Sequence, residues 1–250
     1  MGLTKIRAVL FDVGETLLNF DRIDSSRAFK EAAESSYRFL QQLGVPTGGF
    51  RRYYLHNMIS LHIRILWSNV TGRDFDALAA LKQGGAKKGL SLSDEQWQKL
   101  AWLWYEPLSR LASVESDILQ TLGDLKQLGL KLGIVSNTFI NSCSLDRHFA
   151  QLGMLEFFPV RIYSYMIKSR KPAKRIFEIA AEKLAVPCQE TMFVGDRIDT
   201  DIKGAIKARM TAVLKRARTN HRKKVPAGVF SVDSLSQLPM LIKQINGGSA

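Results

Sequence analysis

A small set of side chains could share one piece of chemistry, although the chain separates them widely: Asp12, Ser136, Lys171, Asp196 and Asp201. Each follows an apolar run. Asp12 closes Ile6–Val13, Ser136-Asn137 follows Leu132–Val135, Lys171-Pro172 comes after Val160–Tyr163, and Gly195-Asp196 follows Met192–Val194, with Asp199 and Asp201 close behind. Singly these are ordinary turn or helix-start residues. Together they suit phosphoryl transfer. Asp12 would attack phosphorus to give an aspartyl-phosphate. A carboxylate repels a phosphate dianion, so a cation is required. Asp12, Asp196 and the backbone carbonyl of Gly14 offer hard oxygens for Mg²⁺, and Asp201 would hold metal-bound water. Ser136 and Asn137 would bind the phosphoryl oxygens. Lys171 would neutralise the phosphoryl group and Asp12, and Thr16 would brace the loop.

The elements that must position these groups follow from periodicity. The apolar runs read as buried strands, with further ones at Ala212–Leu214 and Val229–Ser231. Helical patterns separate them. One starts at Ser116, places Ile118, Leu122 and Leu125 on one face and stops at Gly129. Another has Pro172 in its first turn and Ile176, Phe177, Ala180 and Leu184 on one face. Residues 201–210 and 235–245 are also helical. Strands alternating with helices imply an α/β fold, a Rossmann-like three-layer parallel sheet. Ligands of such sheets bind at the carboxyl ends of the strands.

Residues 18–111 carry no convincing strand. They read as helices near 24–43, 51–69, 74–83 and 94–111, with Ser93 and Gln96 as a capping box and turns at Gly48-Gly49 and Gly84-Gly85. All four tryptophans, Trp67, Trp97, Trp102 and Trp104, fall here and read as core. The expected organisation is an α/β domain of residues 1–17 and 112–250, interrupted by an all-helical insertion of residues 18–111. An insertion rooted at that edge can act as a lid.

The segments FDVGETL, IVSNT, SRKPAKRIF and VGDRIDTDIKGA resemble the motifs of the haloacid dehalogenase superfamily. The resemblance covers residues 5–16 and 114–232, and the insertion sits where that family's class-1 helical cap sits. It implies a Mg²⁺-dependent phosphatase acting on a small phosphorylated metabolite.

The sequence departs from the family pattern at one telling place. Phosphatases of the family usually read Asp-x-Asp-Gly-Thr, where the second Asp is the general acid and base. Here that position is Gly14, followed by Glu15. General acid–base catalysis contributes about 10²–10⁴-fold, so the loss must be made good or tolerated. Glu15 can substitute if the loop breaks the side-chain alternation of the strand, a turn that Gly14 permits. A second reading is a low-activity or non-catalytic protein that binds a phosphorylated ligand or a partner. A third is dehalogenase or phosphonatase chemistry. It lacks support in the insertion, where Lys30, Lys82, Lys87, Lys88 and Lys99 form no signature.

Composition bounds the alternatives. The 250 residues are 46% hydrophobic and 24% charged, which excludes disordered, collagen-like and disulfide-scaffold classes. Two cysteines, Cys143 and Cys188, suit a reducing compartment, and the N-terminus lacks a signal-peptide pattern, so a cytoplasmic protein is expected. Leu61–Val70 is too short to span a bilayer and holds Arg64. The net charge is +13. Residues 161–224 hold 17 Lys/Arg against 6 Asp/Glu, which suits an acidic partner such as a phosphorylated substrate. The densest stretch, residues 215–224 (KRARTNHRKK), has no interleaved aromatic residue, and no helix-turn-helix or RNA-module signature is present. Nucleic acid is therefore disfavoured as a partner, and this stretch reads as a solvated loop.

Overall fold

The computed structural model describes residues 4–20 and 25–247. Asp24, where the first helix was expected to begin, and the outermost residues of the α/β domain lie outside them. The strands are β1 Ala8–Phe11, β2 Asn19–Phe20, β3 Ala112–Ser113, β4 Lys131–Ser136, β5 Val160–Tyr163, β6 Thr191–Gly195, β7 Thr211–Lys215 and β8 Phe230–Val232. The helices are α1 Ser25–Gln42, α2 Phe50–Thr71, α3 Ala77–Ala86, α4 Asp94–Ser109, α5 Ile118–Gln127, α6 Ser142–Gln151, α7 Ser164–Ile167, α8 Lys174–Leu184, α9 Lys203–Lys207 and α10 Leu238–Gly247. No helix among the described residues is long and apolar enough to cross a membrane.

The chain divides into two compact units. One comprises Met1–Asn19, Ser113–Asn137 and Leu152–Ala250; the other comprises Phe20–Ala112 and Thr138–Gln151. The first contains a six-stranded sheet in the order β5-β4-β1-β6-β7-β8, all pairs parallel. This is the α/β sheet expected from the sequence, with helices on both faces. Its strands are near-continuous apolar runs because both faces are covered. Every residue of β1 is buried. Leu10, Val135, Phe193 and Leu214 meet Ile176 and Phe177 of α8 and Ala205 of α9 in one core cluster. Phe177 meets Phe193 edge to face, with centroids 4.8 Å apart, a favourable ring geometry. The strand order reverses at β1. In register, Phe11 faces Ile134 and Val194, so the residues after each strand emerge at one edge.

The helical unit holds α1 to α4 and α6. Helices appear where periodicity placed them, and the capping box of Ser93 and Gln96 at the start of α4 is complete. Ala33, Leu40, Tyr53, Trp97 and Leu100 form its core. Two expectations fail here. Gly84-Gly85 is no turn but lies inside α3. A Cβ on Gly85 would run into the ring of Trp97, so that glycine serves close packing. Trp67 is not core: it is 64% exposed on α2. Boundaries also shift in the α/β unit. The turn expected to open at Asp201 begins at Ile198 as one turn of π-helix, and α8 starts at Lys174, after Pro172.

Candidate active site

The site assembles at the carboxyl edge of the sheet. The Asp12 N–H donates to the Val194 carbonyl (2.9 Å), which holds the residue against the end of β6. Ser136 and Gly195 are the last residues of β4 and β6, and Ser136 is buried. Asp12, Asp196 and Asp201 are buried and present oxygens within 4.8 Å of one another. Lys171, 3% exposed, bridges two of them: its Nζ lies 2.6 Å from Asp12 Oδ1 and 2.7 Å from Asp201 Oδ1.

Local chemistry explains these placements. The sequence makes Asn137 a phosphate contact; in the structure its amide is engaged on the backbone of Lys171. Its Oδ1 accepts from the Lys171 N–H (2.8 Å) and its Nδ2 donates to the Lys171 carbonyl (3.0 Å). The Lys171–Pro172 bond is cis. Gly195 is required by close approach, because a Cβ there would lie 2.6 Å from the Asp201 side chain. Asp201 is anchored by the Arg197 N–H on its Oδ2 (2.9 Å) and approached by the Thr200 hydroxyl at Oδ1 (3.2 Å).

Residues 13–18 form a tight turn in which the N–H groups of Thr16, Leu17 and Leu18 all donate to the Val13 carbonyl. The Thr16 hydroxyl is buried with no hydrogen-bond partner among the described residues, so bracing comes from the backbone. Glu15 adopts φ +56°, the left-handed region that favours glycine. Its carboxylate lies 3.8 Å from the Arg218 guanidinium. Left-handed backbone at a non-glycine residue breaks strand alternation, the condition under which Glu15 could turn toward the site.

Electrostatics make the cluster demanding. Burial pushes the Asp12 carboxyl up, opposed by Lys171 and reinforced by Asp201. Burial would lower Lys171, but the carboxylates of Asp12 and Asp201 outweigh it and raise the ammonium above its ordinary value. Burial lifts Asp196 to about 7, against the hydrogen bond from Thr219. One ammonium thus faces three buried carboxylates. Asp201 has both oxygens engaged, whereas Asp196 Oδ1 is buried without a partner among the described residues. A hard divalent cation fits this donor set, since it supplies the missing charge and a partner for that oxygen.

Sequence reasoning missed the residues that hold Asp196. The Thr219 hydroxyl donates to Asp196 Oδ2, and Asn220 Nδ2 donates to the Asp196 carbonyl (2.7 Å). Their position just after β7, at the edge where the other strands deliver their residues, was the available signal; the surrounding cations masked it.

Comparisons with known proteins agree with this arrangement. The family model of haloacid dehalogenase-like hydrolases matches residues 6–209. The glyceraldehyde 3-phosphate phosphatase of Methanopyrus kandleri is 30% identical over 211 residues, 83% of either chain. That of Methanothermobacter thermautotrophicus is 26% identical, covering 95% of this chain and all of the relative. Among solved structures, a phosphatase of the same superfamily from Thermococcus onnurineus superposes with a TM-score of 0.57 at 23% identity, over 95% of this chain and 98% of its own. A buried Asp–Lys–Asp–Asp cluster at the edge of a parallel sheet, with a family match across most of the chain, leads to one conclusion: this chain belongs to the haloacid dehalogenase-like hydrolases.

Proposed function

We propose that the protein hydrolyses phosphoric monoesters of small sugars, through a phosphoryl group carried on Asp12. The observation that carries this reading is the Lys171 bridge. A buried ammonium touching Asp12 and Asp201 keeps a carboxylate in reach of the substrate and supplies positive charge where phosphoryl oxygens gather. Relatives named as glyceraldehyde 3-phosphate phosphatases support the substrate class.

In this reading an Asp12 carboxylate oxygen attacks phosphorus as the ester P–O bond breaks. Glu15 gives a proton to the departing alkoxide. Glu15 then takes a proton from a water that attacks the same phosphorus, releasing inorganic phosphate and restoring Asp12. Ser136 donates a hydrogen bond to a phosphoryl oxygen, and Asn137 holds Lys171 in place. Mg²⁺, held by Asp12, Asp196 and the Gly14 carbonyl with Asp201 behind them, would supply charge neutralisation of the phosphate. Cys143 and Cys188 are free thiols, which supports a reducing, cytoplasmic setting.

Phosphate release from glyceraldehyde 3-phosphate and related sugar phosphates, with and without Mg²⁺, tests the proposal. Turnover should require the ion and fall by roughly 10³-fold or more in Asp12→Asn. Turnover that survives Asp12→Asn would overturn it.

A further inference from the structure

The basic run after β7 reads as a solvated loop, yet the structure builds it into the site. Asn220 is 1% exposed and fastens the loop from within: its Nδ2 donates to the carbonyls of Asp196 (2.7 Å) and Lys215 (2.8 Å). Lys215 is buried too. Its ammonium meets Glu115 Oε1 (2.9 Å) and donates to the Asp233 carbonyl (2.9 Å). The Arg216 guanidinium closes the far side through the carbonyls of His221 (3.0 Å) and Lys223 (3.1 Å). Two cationic side chains and an asparagine therefore fasten the loop that carries Thr219, whose hydroxyl donates to Asp196 Oδ2.

The two oxygens of Asp196 are consequently unlike. Oδ2 is capped by a neutral donor, and Oδ1 is buried with no partner among the described residues, in a carboxylate that offers an oxygen within 4.8 Å of oxygens of Asp12 and Asp201. A carboxylate held by one oxygen loses its freedom to rotate, so the other oxygen keeps one direction. We infer that Thr219 is a positioning residue, which ties down Asp196 Oδ2 so that Oδ1 is presented to a divalent cation shared with Asp12. The inference rests on the metal reading above. It assigns the basic loop a structural task at the metal ligand in place of a diffuse surface role.

Binding of Mn²⁺, as a spectroscopic stand-in for Mg²⁺, tests this directly on the full chain by electron paramagnetic resonance. Thr219→Val keeps the shape and removes the donor, and Thr219→Ser restores the donor. Loss of an outer hydrogen bond to a metal ligand costs about 10–100-fold in affinity. Thr219→Val should weaken Mn²⁺ by that factor, Thr219→Ser should stay near wild type, and the sugar phosphate KM at saturating metal should be unchanged in both. If Thr219→Val does not fold, judged by circular dichroism, Thr219→Ala carries the same expectation with less bulk against Asp196. Wild-type Mn²⁺ affinity in a folded donor-less variant would overturn the inference while leaving the metal site intact. Absence of Mn²⁺ binding in the wild type itself would overturn the metal reading, and this inference with it.

Discussion

In the α/β unit the buried side chains include Asp12, Lys171, Asp196, Asp201, Lys215 and Asn220, all charged or polar. In the helical unit the order is reversed along α2, where Leu55, Ile59, Ile63, Leu66, Trp67 and Val70 are exposed, Val70 by 82%. Burying charge is expensive unless it is paired, so the first unit ties these side chains together by ion pairs and hydrogen bonds. The second is held by apolar packing around Trp97 and Leu100 and has few such obligations. The contrast teaches where change is tolerated. Both units keep an apolar core, but the buried charged network added in the first answers sharply to loss of any one partner. A unit that rests on apolar packing answers to volume.

The sharpest way to break the comparison is Lys171→Met. It leaves Asp12 and Asp201 facing each other with no cation between them. Removing one partner of a buried ion pair costs about 3–5 kcal/mol, so chemical denaturation should show a loss of that order, with hydrolysis abolished. A variant of unchanged stability would mean that the carboxylates simply take up protons.

Glu15→Gly comes next, and here stability and activity should part company. Glycine relieves the left-handed backbone at this position, a strain of about 1–2 kcal/mol. The melting temperature should hold or rise. Hydrolysis of an alkyl phosphate should fall by roughly 10²–10⁴-fold. An aryl phosphate, whose leaving group hardly needs a proton, should suffer much less. Equal losses on both substrates would remove Glu15 from proton transfer.

In the helical unit the matching pair is Gly85→Ala and Gly84→Ala. The first forces a methyl group into the Trp97 ring and should cost about 1–3 kcal/mol. The second meets nothing within 4 Å and should gain up to about 1 kcal/mol from helix propensity. Equilibrium unfolding of both variants gives the answer, and equal effects would show that the packing at Trp97 yields.

The smallest effect is a difference in pH dependence. His148 is buried and its Nδ1 lies 2.9 Å from the Tyr105 hydroxyl; burial lowers its pKa. The unfolded chain therefore binds this proton more readily. The helical unit should lose stability as pH falls below the free histidine value of about 6.5, by at most about 1.4 kcal/mol per pH unit. Asp196 has the opposite sign. Burial raises it to about 7, so without metal the folded state binds the proton more readily, and the α/β unit should lose stability as pH rises through that value. Hydrogen exchange resolved by unit should show opposite slopes, and the His148→Gln variant should flatten only that of the helical unit.

Much of the α/β unit was legible because its signals are local. Apolar runs ending in Asp12, Ser136 and Gly195-Asp196 announce strand ends, and parallel pairing brings those ends to one edge. What was not legible depends on contacts between distant residues. Nothing near Asn137 says that its amide will hold the backbone of Lys171, and nothing in KRARTNHRKK singles out Thr219 from the cations around it. The helical unit shows the same limit. Periodicity placed its helices, but whether Gly85 makes a turn or receives a tryptophan ring, and whether Trp67 faces core or solvent, is decided by packing partners elsewhere in the chain.

The central claim is that Asp12 carries the phosphoryl group. The direct measurement is acid quench during turnover of a sugar phosphate with Mg²⁺, followed by peptide mass spectrometry. The account predicts one added phosphoryl group on the peptide containing Asp12, absent in Asp12→Asn and lost on treatment with hydroxylamine. Steady turnover with no such adduct, or an adduct on another residue, would contradict it.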